Sequence, residues 1–106
     1  MLDKFEAENR LDGSGKPAGG SVAGVGLSIH WQDGPLGRGE DRRAPNGAFV
    51  ETVIAAALQR LEWYNEGEFS CRENSIAITK LEEALLWLGK RTADREGRGV
   101  EGTHTP

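Results

Sequence analysis

Few residues of this chain can support disulfide, metal or membrane chemistry. Its 106 residues include a single cysteine, Cys71, so no disulfide can form within the chain and a reducing compartment suits it. The two histidines, His30 and His104, belong to no His/Cys/Asp cluster with metal-ligand spacing. No apolar run approaches the ~20 residues that span a bilayer. We therefore expect no metal, no cofactor and no membrane partner.

Other absences bear on targeting and catalysis. No basic stretch followed by an apolar stretch opens the chain, so we expect no secretory signal and a cytoplasmic location. The formal charge of −4 disfavours DNA binding, which usually needs a basic face. The segment GSGKP is not predicted to be a P-loop, because we expect no strand before it and no Ser or Thr follows its lysine. Glu82 and Glu83 diverge on a helix, so they form no catalytic carboxylate pair. These features favour a binding protein over an enzyme.

The chain divides into a glycine-rich start and a patterned remainder. Residues 1–24 are rich in small and polar side chains that bury little surface, which predicts a flexible arm. Residues 25–32, VGLSIHWQ, alternate apolar and polar side chains and predict a half-buried strand. Residues 36–47 predict a charged loop. We therefore expect a strand plus helical-hairpin domain over residues 25–106.

Two amphipathic helices are predicted in the second half. Residues 48–65 repeat apolar side chains at steps of one, three and four, with Asn46 as a plausible N-cap. Residues 70–97 predict a second helix, where Ser70 and Glu73 match the capping-box pattern. The short connection between the helices makes them an antiparallel hairpin.

The second helix carries a heptad-like seam that runs from Cys71 to Arg95. At the start of this seam, a buried structural thiol is favoured over a reactive one. Near its end, Arg91, Arg95 and Arg98 share one face. Two interpretations stay open: the cations offset the helix dipole, or their guanidinium groups grip an anion such as phosphate. The second is favoured at Arg95, because an unpaired guanidinium in a buried seam is costly.

The aromatic residues lie at the other end of the hairpin. Trp63 and Tyr64 are adjacent, so only one of them can face the seam and the other can stack on a flat ligand. Asn74 can read a base edge or a ribose. The alternative interpretation is ordinary packing of these side chains.

The predicted elements define an α+β fold, with one or more N-terminal strands followed by an antiparallel two-helix hairpin. One strand and two helices cannot enclose a hydrophobic core. We therefore expect homo-oligomerisation to complete the fold, as small domains often do. The alternative is a marginal monomer with exposed apolar patches.

Most of residues 46–106 resembles the helical-hairpin domain of phage anti-defence sponges, the Thoeris anti-defence and anti-CBASS proteins. The most specific segments are CREN, RTADRE and RGVEGT. IHWQDGP at residues 29–35 is similar to the strand of the Thoeris branch. The resemblance implies a non-enzymatic protein that sequesters cyclic nucleotide immune signals in the infected bacterial cell.

The resemblance also implies where ligands bind. Glycocyclic ADP-ribose would lie at a dimer interface, with Tyr64 stacking on a base and Asn74 as a polar contact. Arg91 and Arg95 would grip the pyrophosphate, and Arg38 would add a loop contact. In some members, cyclic di- or trinucleotides occupy separate pockets of a hexamer built from dimers. Backbone N–H groups of the tail would line such a pocket, and its residues are Arg98, Gly99, Val100, Glu101, Gly102 and Thr103.

Two other functions remain to be weighed against sequestration. One is an enzyme that degrades the same signals. The other is a helical-hairpin module that binds protein or nucleic acid through Arg91, Arg95 and Arg98. Recovery of cleaved ligand would favour the enzyme, whereas a lack of response to every cyclic nucleotide would favour the module.

Overall fold

The computed structural model describes residues 4–106. A three-stranded antiparallel sheet in the order β1-β2-β3 precedes two long helices, which confirms the α+β fold class and the helical hairpin. A single 3-10 turn lies between the sheet and the helices in this range. The strands and helices are β1 (Phe5–Leu11), β2 (Pro17–Gly24), β3 (Leu27–Trp31), α1 (Val50–Asn65) and α2 (Arg72–Gly97).

The chain folds as two compact units. The first, the sheet unit, contains the described residues up to Phe49 together with Gly99–Pro106. The second, the hairpin unit, is Val50–Arg98. The C-terminal tail therefore belongs with the sheet, although it follows the second helix in sequence.

The strands β1 and β2 correct the predicted flexible arm. They pair antiparallel from Phe5 opposite Gly24 to Leu11 opposite Pro17, with an irregularity between Asn9 and Leu11. The prediction is wrong for these residues. It was based on how little surface their side chains can bury, whereas the hydrogen bonds between strands are made by backbone groups that every non-proline residue carries. Residues 1–3 of the predicted arm lie outside the described residues.

A local turn joins β1 to β2. The carboxylate of Asp12 accepts hydrogen bonds from the backbone N–H of Lys16 at 3.0 Å and from the backbone N–H and hydroxyl of Ser14 at 2.9 and 2.8 Å. The bond from Lys16 is the largest cause that holds the pKa of Asp12 below its usual range, and those from Ser14 add to it. This Asx-type turn sets the strand register locally.

The strand β3 is shorter than predicted and has a covered edge. On that edge, Ala48 forms two backbone hydrogen bonds with the β3 segment. Its N–H donates to the His30 carbonyl at 2.7 Å, and its carbonyl accepts from the Gln32 N–H at 2.9 Å. Asn46 is tied to Asp33, donating to its carbonyl and accepting from its N–H. The predicted cap at Asn46 is therefore wrong, since the backbone of residue 48 is committed to the sheet and the helix begins at Val50.

The second helix is capped one residue later than predicted. Cys71, not Ser70, is the N-cap, and its sulfur accepts from the Asn74 N–H at 3.4 Å. The thiol is exposed, so the prediction of a buried thiol is wrong. Asn65 secures the turn by accepting from the Cys71 N–H at 3.1 Å and donating to Ser75 at 3.0 Å.

Within the part of the chain that the structure describes, neither unit encloses a hydrophobic core. Half-burial follows the predicted seam of α2 from Asn74 to Arg95. However, no hydrophobic side chain among residues 4–106 is fully buried, and Leu86 and Trp87 are 74% and 63% exposed. Such large exposed apolar side chains usually mark interaction surfaces. Within the same range, no helix has the length and apolar character needed to cross a bilayer.

Candidate ligand-binding sites

An aromatic cleft lies at the turn of the hairpin. It has a volume of about 380 Å³ and an opening to solvent, and most of its lining is apolar. Because the cleft is open to solvent, it suits a planar ring stacked on its wall rather than an enclosed small molecule. The lining residues are Trp63, Tyr64, Glu66, Gly67, Glu68 and Phe69.

A cation–π cluster fixes two of the cleft's aromatic rings. Trp63 and Tyr64 meet edge to face, with ring centroids 5.3 Å apart. The guanidinium carbon of Arg60 lies 4.5 Å from the Trp63 centroid and 4.9 Å from that of Tyr64. Sequence reasoning missed Arg60, although its spacing of three and four residues from the aromatics on a helix carried the signal.

The predicted polar contact Asn74 supports this cleft from α2. Its side-chain amide donates to the Phe69 carbonyl at 3.2 Å, which ties the cleft's turn to the start of the helix. Its side-chain oxygen has no hydrogen-bond donor among residues 4–106 and can receive one from a ligand. Tyr64 is 38% exposed, so its ring is accessible. Their ligand contacts remain predictions.

The three arginines at the end of α2 differ in their surroundings. Arg91 is exposed and has no hydrogen-bond or ion-pair partner within the described part of the chain. Arg95, one turn further, is half-buried. Arg98 donates to the Asp94 carboxylate at 3.1 Å and ends the helix. Arg91 and Arg95 together form what we call the arginine face.

One chain does not bring the aromatic cleft and the arginine face together. Asn74 and Arg91 lie on the same continuous helix, 17 residues apart, which separates them by about 26 Å along the helix axis. That distance exceeds the span of one nucleotide ring. A single ligand can touch both groups only if they come from different copies of the chain.

The tail is held by the loop that follows β3. Gly37 donates its N–H to the Gly102 carbonyl at 2.8 Å, and the Arg38 guanidinium donates to the Gly99 carbonyl. Arg42 forms a two-pronged ion pair with Glu101. Arg38, predicted as a ligand contact, thus faces the tail. Sequence reasoning missed Arg42 because its partner is 59 residues away.

The tail itself is a tight turn. Thr103 donates to the Val100 carbonyl from its N–H at 3.1 Å and from its hydroxyl at 2.6 Å. Gly99 and Gly102 have φ angles of +74° and +77°, a region that favours glycine. Across residues 4–106, no group of three or more His, Cys, Asp or Glu side chains is placed to hold a metal ion.

An N-terminal antiparallel sheet and a long helical hairpin with an aromatic cleft define a small helical-hairpin protein. Comparison with known families is specific: residues 28–93 match the family model described as "Acb2/Tad1, hairpin domain". The chain is also 51% identical over 82 residues to Thoeris anti-defense 1 of Bacillus phage SBSphiJ7. It belongs to this Thoeris anti-defence family.

The two matches differ in extent, and the family model does not cover every predicted site residue. The aligned segment covers 77% of this chain and 55% of that phage relative, so the chain spans about half the relative's length. The family model includes Arg38, Tyr64, Asn74 and Arg91 but ends before Arg95 and the tail. The family model therefore does not bear on Arg95 or on the tail.

Proposed function

We propose that this protein is a phage anti-defence sponge that binds cyclic ADP-ribose-type immune signals and sequesters them without cleavage. The observation that carries the proposal is the arginine face: exposed Arg91, without a partner among residues 4–106, lies one turn before half-buried Arg95. The family model and the phage relative support an anti-defence role, and the resemblance implies the ligand class. Since the defence signals are made inside the host, the protein acts in the cytoplasm of the infected bacterium.

The chemistry of a cyclic ADP-ribose-type ligand matches the two groups on the hairpin. Its pyrophosphate suits the planar forks of Arg91 and Arg95, and its adenine suits stacking on Tyr64. Charged hydrogen bonds contribute about 1.5–3 kcal/mol each, and a stacked base about 1–3 kcal/mol. Two arginine contacts and one stacked base together approach the ~8 kcal/mol of micromolar binding, before ordering costs.

Two copies of the chain would complete the site. Because the aromatic cleft and the arginine face lie about 26 Å apart on one chain, an antiparallel dimer would be needed to bring one of each together. In such a dimer, the cleft of one copy meets the arginines of the other. Exposed Leu86 and Trp87 on α2 favour an apolar interface of this kind. Three such dimers would form a hexamer.

A second pocket for cyclic di- or trinucleotides would use the tail. The N–H groups of Gly99 and Gly102 have no hydrogen-bond acceptor among the described residues. Glycine lets a ligand phosphate approach such backbone donors closely. The tail would then serve cyclic oligonucleotides while the hairpin serves ADP-ribose-type rings.

Binding without chemistry is tested by recovering the ligand. We expect the protein, incubated with a slight excess of cyclic ADP-ribose or its glycocyclic isomer, to release the ligand intact when the complex is heat-denatured. Liquid chromatography with mass detection measures the recovered ring against a sample without protein. Recovery of a linear product would support the enzyme instead.

A thermal-shift experiment with a panel of cyclic nucleotides tests the other alternative. Absence of a shift with every cyclic nucleotide would support the protein- or nucleic-acid-binding module.

The cation–π cluster yields a smaller, separate prediction. Arg60→Ala should weaken binding of the ADP-ribose-type ring by roughly two- to fivefold. An exposed cation–π contact contributes about 0.5–1 kcal/mol, and without it the Tyr64 ring is held less firmly in the position that stacks on the ligand. Calorimetry measures the affinity, and tryptophan fluorescence reports the environment of Trp63. Arg60→Lys should retain more affinity, and exposed Gln59→Ala is the neighbouring control. Equal affinities for Arg60→Ala and wild type would remove Arg60 from the site.

A further inference from the structure

The tail of the sheet unit carries a charge that conflicts with phosphate binding. Glu101 lies between Gly99 and Gly102, the residues whose N–H groups are available to an anion. A carboxylate beside a phosphate disfavours binding through like-charge repulsion. If the tail binds cyclic oligonucleotides, as proposed above, the carboxylate must be neutralised and held aside.

Arg42 meets both requirements. Its Nη1 lies 2.8 Å from Glu101 Oε2 and its Nη2 lies 3.1 Å from Oε1, a fork-to-fork pair that fixes the orientation of the carboxylate. The two side chains are 43% and 27% exposed. Exposed ion pairs contribute little to global stability, so the pair's main effect is on local geometry and charge.

Contacts with backbone groups beside the ion pair also hold the tail against the loop that follows β3. The N–H of Gly37 reaches the Gly102 carbonyl at 2.8 Å, and a Cβ on Gly102 would lie 2.4 Å from the Gly37 carbonyl oxygen. Arg38 donates to the Gly99 carbonyl, and Arg42 reaches the Gly37 carbonyl at 3.4 Å.

Several of these contacts occupy carbonyl acceptors of the tail. The carbonyls of Gly99 and Gly102 bond to the loop, and that of Val100 bonds to Thr103. Because these three carbonyls are bonded while the N–H groups of Gly99 and Gly102 have no acceptor among residues 4–106, the turn offers backbone donors to an anion.

We propose that Arg42 is a positioning residue for a phosphate-binding tail: it neutralises Glu101, holds its carboxylate away from the ligand and keeps the glycine N–H groups aimed at a phosphate of a cyclic oligonucleotide. Arg42 acts through Glu101 and the tail rather than by touching the ligand. This role depends on the proposed tail pocket and is separate from the hairpin site.

Binding of cyclic triadenylate to the full chain tests the proposal. Arg42→Ala should weaken this binding roughly tenfold, because the exposed carboxylate then repels the phosphate. The double variant Arg42→Ala/Glu101→Gln should recover most of the loss, since the repelling charge is gone. Loss of tail packing alone would not be rescued in this way. Binding of cyclic ADP-ribose at the hairpin should be unchanged in both variants.

Arg43→Ala is the matched control, because Arg43 is the adjacent arginine and its side chain has no hydrogen-bond or ion-pair partner in residues 4–106. Hydrogen exchange without ligand should show faster exchange over residues 99–103 in Arg42→Ala and no change in Arg43→Ala. Unchanged triadenylate binding and exchange in Arg42→Ala would overturn the role of Arg42 alone. Wild-type binding of cyclic ADP-ribose but not of any cyclic oligonucleotide would overturn the tail pocket and this role together, leaving the hairpin site intact.

Discussion

Arg91→Ala is expected to remove most of the protein's affinity for cyclic ADP-ribose-type rings, and Arg95→Ala is expected to do the same. Each change deletes a charged hydrogen bond to the pyrophosphate, which contributes about 1.5–3 kcal/mol and therefore corresponds to a loss of roughly ten- to a hundredfold. The double variant should bind too weakly for calorimetry to detect at micromolar protein. Arg91→Lys should show an intermediate loss, because a single ammonium cannot form the planar fork.

The control for this prediction has to separate ligand contact from assembly. Light scattering should give every variant the same mass as the wild-type protein, in the dimer-to-hexamer range that we propose. Arg10→Ala removes a guanidinium from β1, where Arg10 pairs with Glu8 at 3.4 Å, and should leave binding unchanged. If Arg91→Ala and Arg95→Ala both bind like the wild type, the arginine face is not the ligand site.

Gly20→Ala is expected to destabilise the sheet unit by roughly 2–5 kcal/mol, the largest stability effect that the structure predicts for a single methyl group. Gly20 has φ of +146° and is the one residue among 4–106 classed as buried. A Cβ there would lie 2.1 Å from the Glu8 carbonyl oxygen, a backbone atom that cannot swing aside. The β1–β2 ladder would have to open to accommodate it.

Urea unfolding followed by circular dichroism measures this effect. Gly13→Ala is the matched control, because a Cβ at Gly13 meets nothing within 4 Å and its φ is not positive. We expect Gly13→Ala to change the free energy of unfolding by less than about 0.5 kcal/mol, as is usual for unconstrained surface positions. A Gly20→Ala variant as stable as Gly13→Ala would mean that β1 and β2 are not paired in this register.

Arg91→Ala and Gly20→Ala report separately on the two units of the chain. Loss of ligand affinity in Arg91→Ala with normal stability would place the defect in the hairpin unit. Loss of stability in Gly20→Ala would place it in the sheet unit. The Arg42 variants address the tail, which belongs to the sheet unit although it follows α2.

The sequence by itself determined the helices. Apolar steps of three and four residues predicted α1 and α2 to within two residues at each end, because helical periodicity is a local property of the chain. The same local pattern identified the seam that ends at half-buried Arg95. The segments CREN and RTADRE also identified the family, which the family model and the phage relative confirm.

Only the tertiary structure decided the sheet and the tail. The strands β1 and β2 escaped prediction because their glycine-rich segments pair through backbone groups, which leave no periodic pattern of side chains. The Arg42–Glu101 pair joins residues 59 apart, and no local spacing predicts such a contact. The separation of Asn74 from Arg91, in contrast, was predicted from the sequence, because both lie on one continuous helix with a fixed rise per residue.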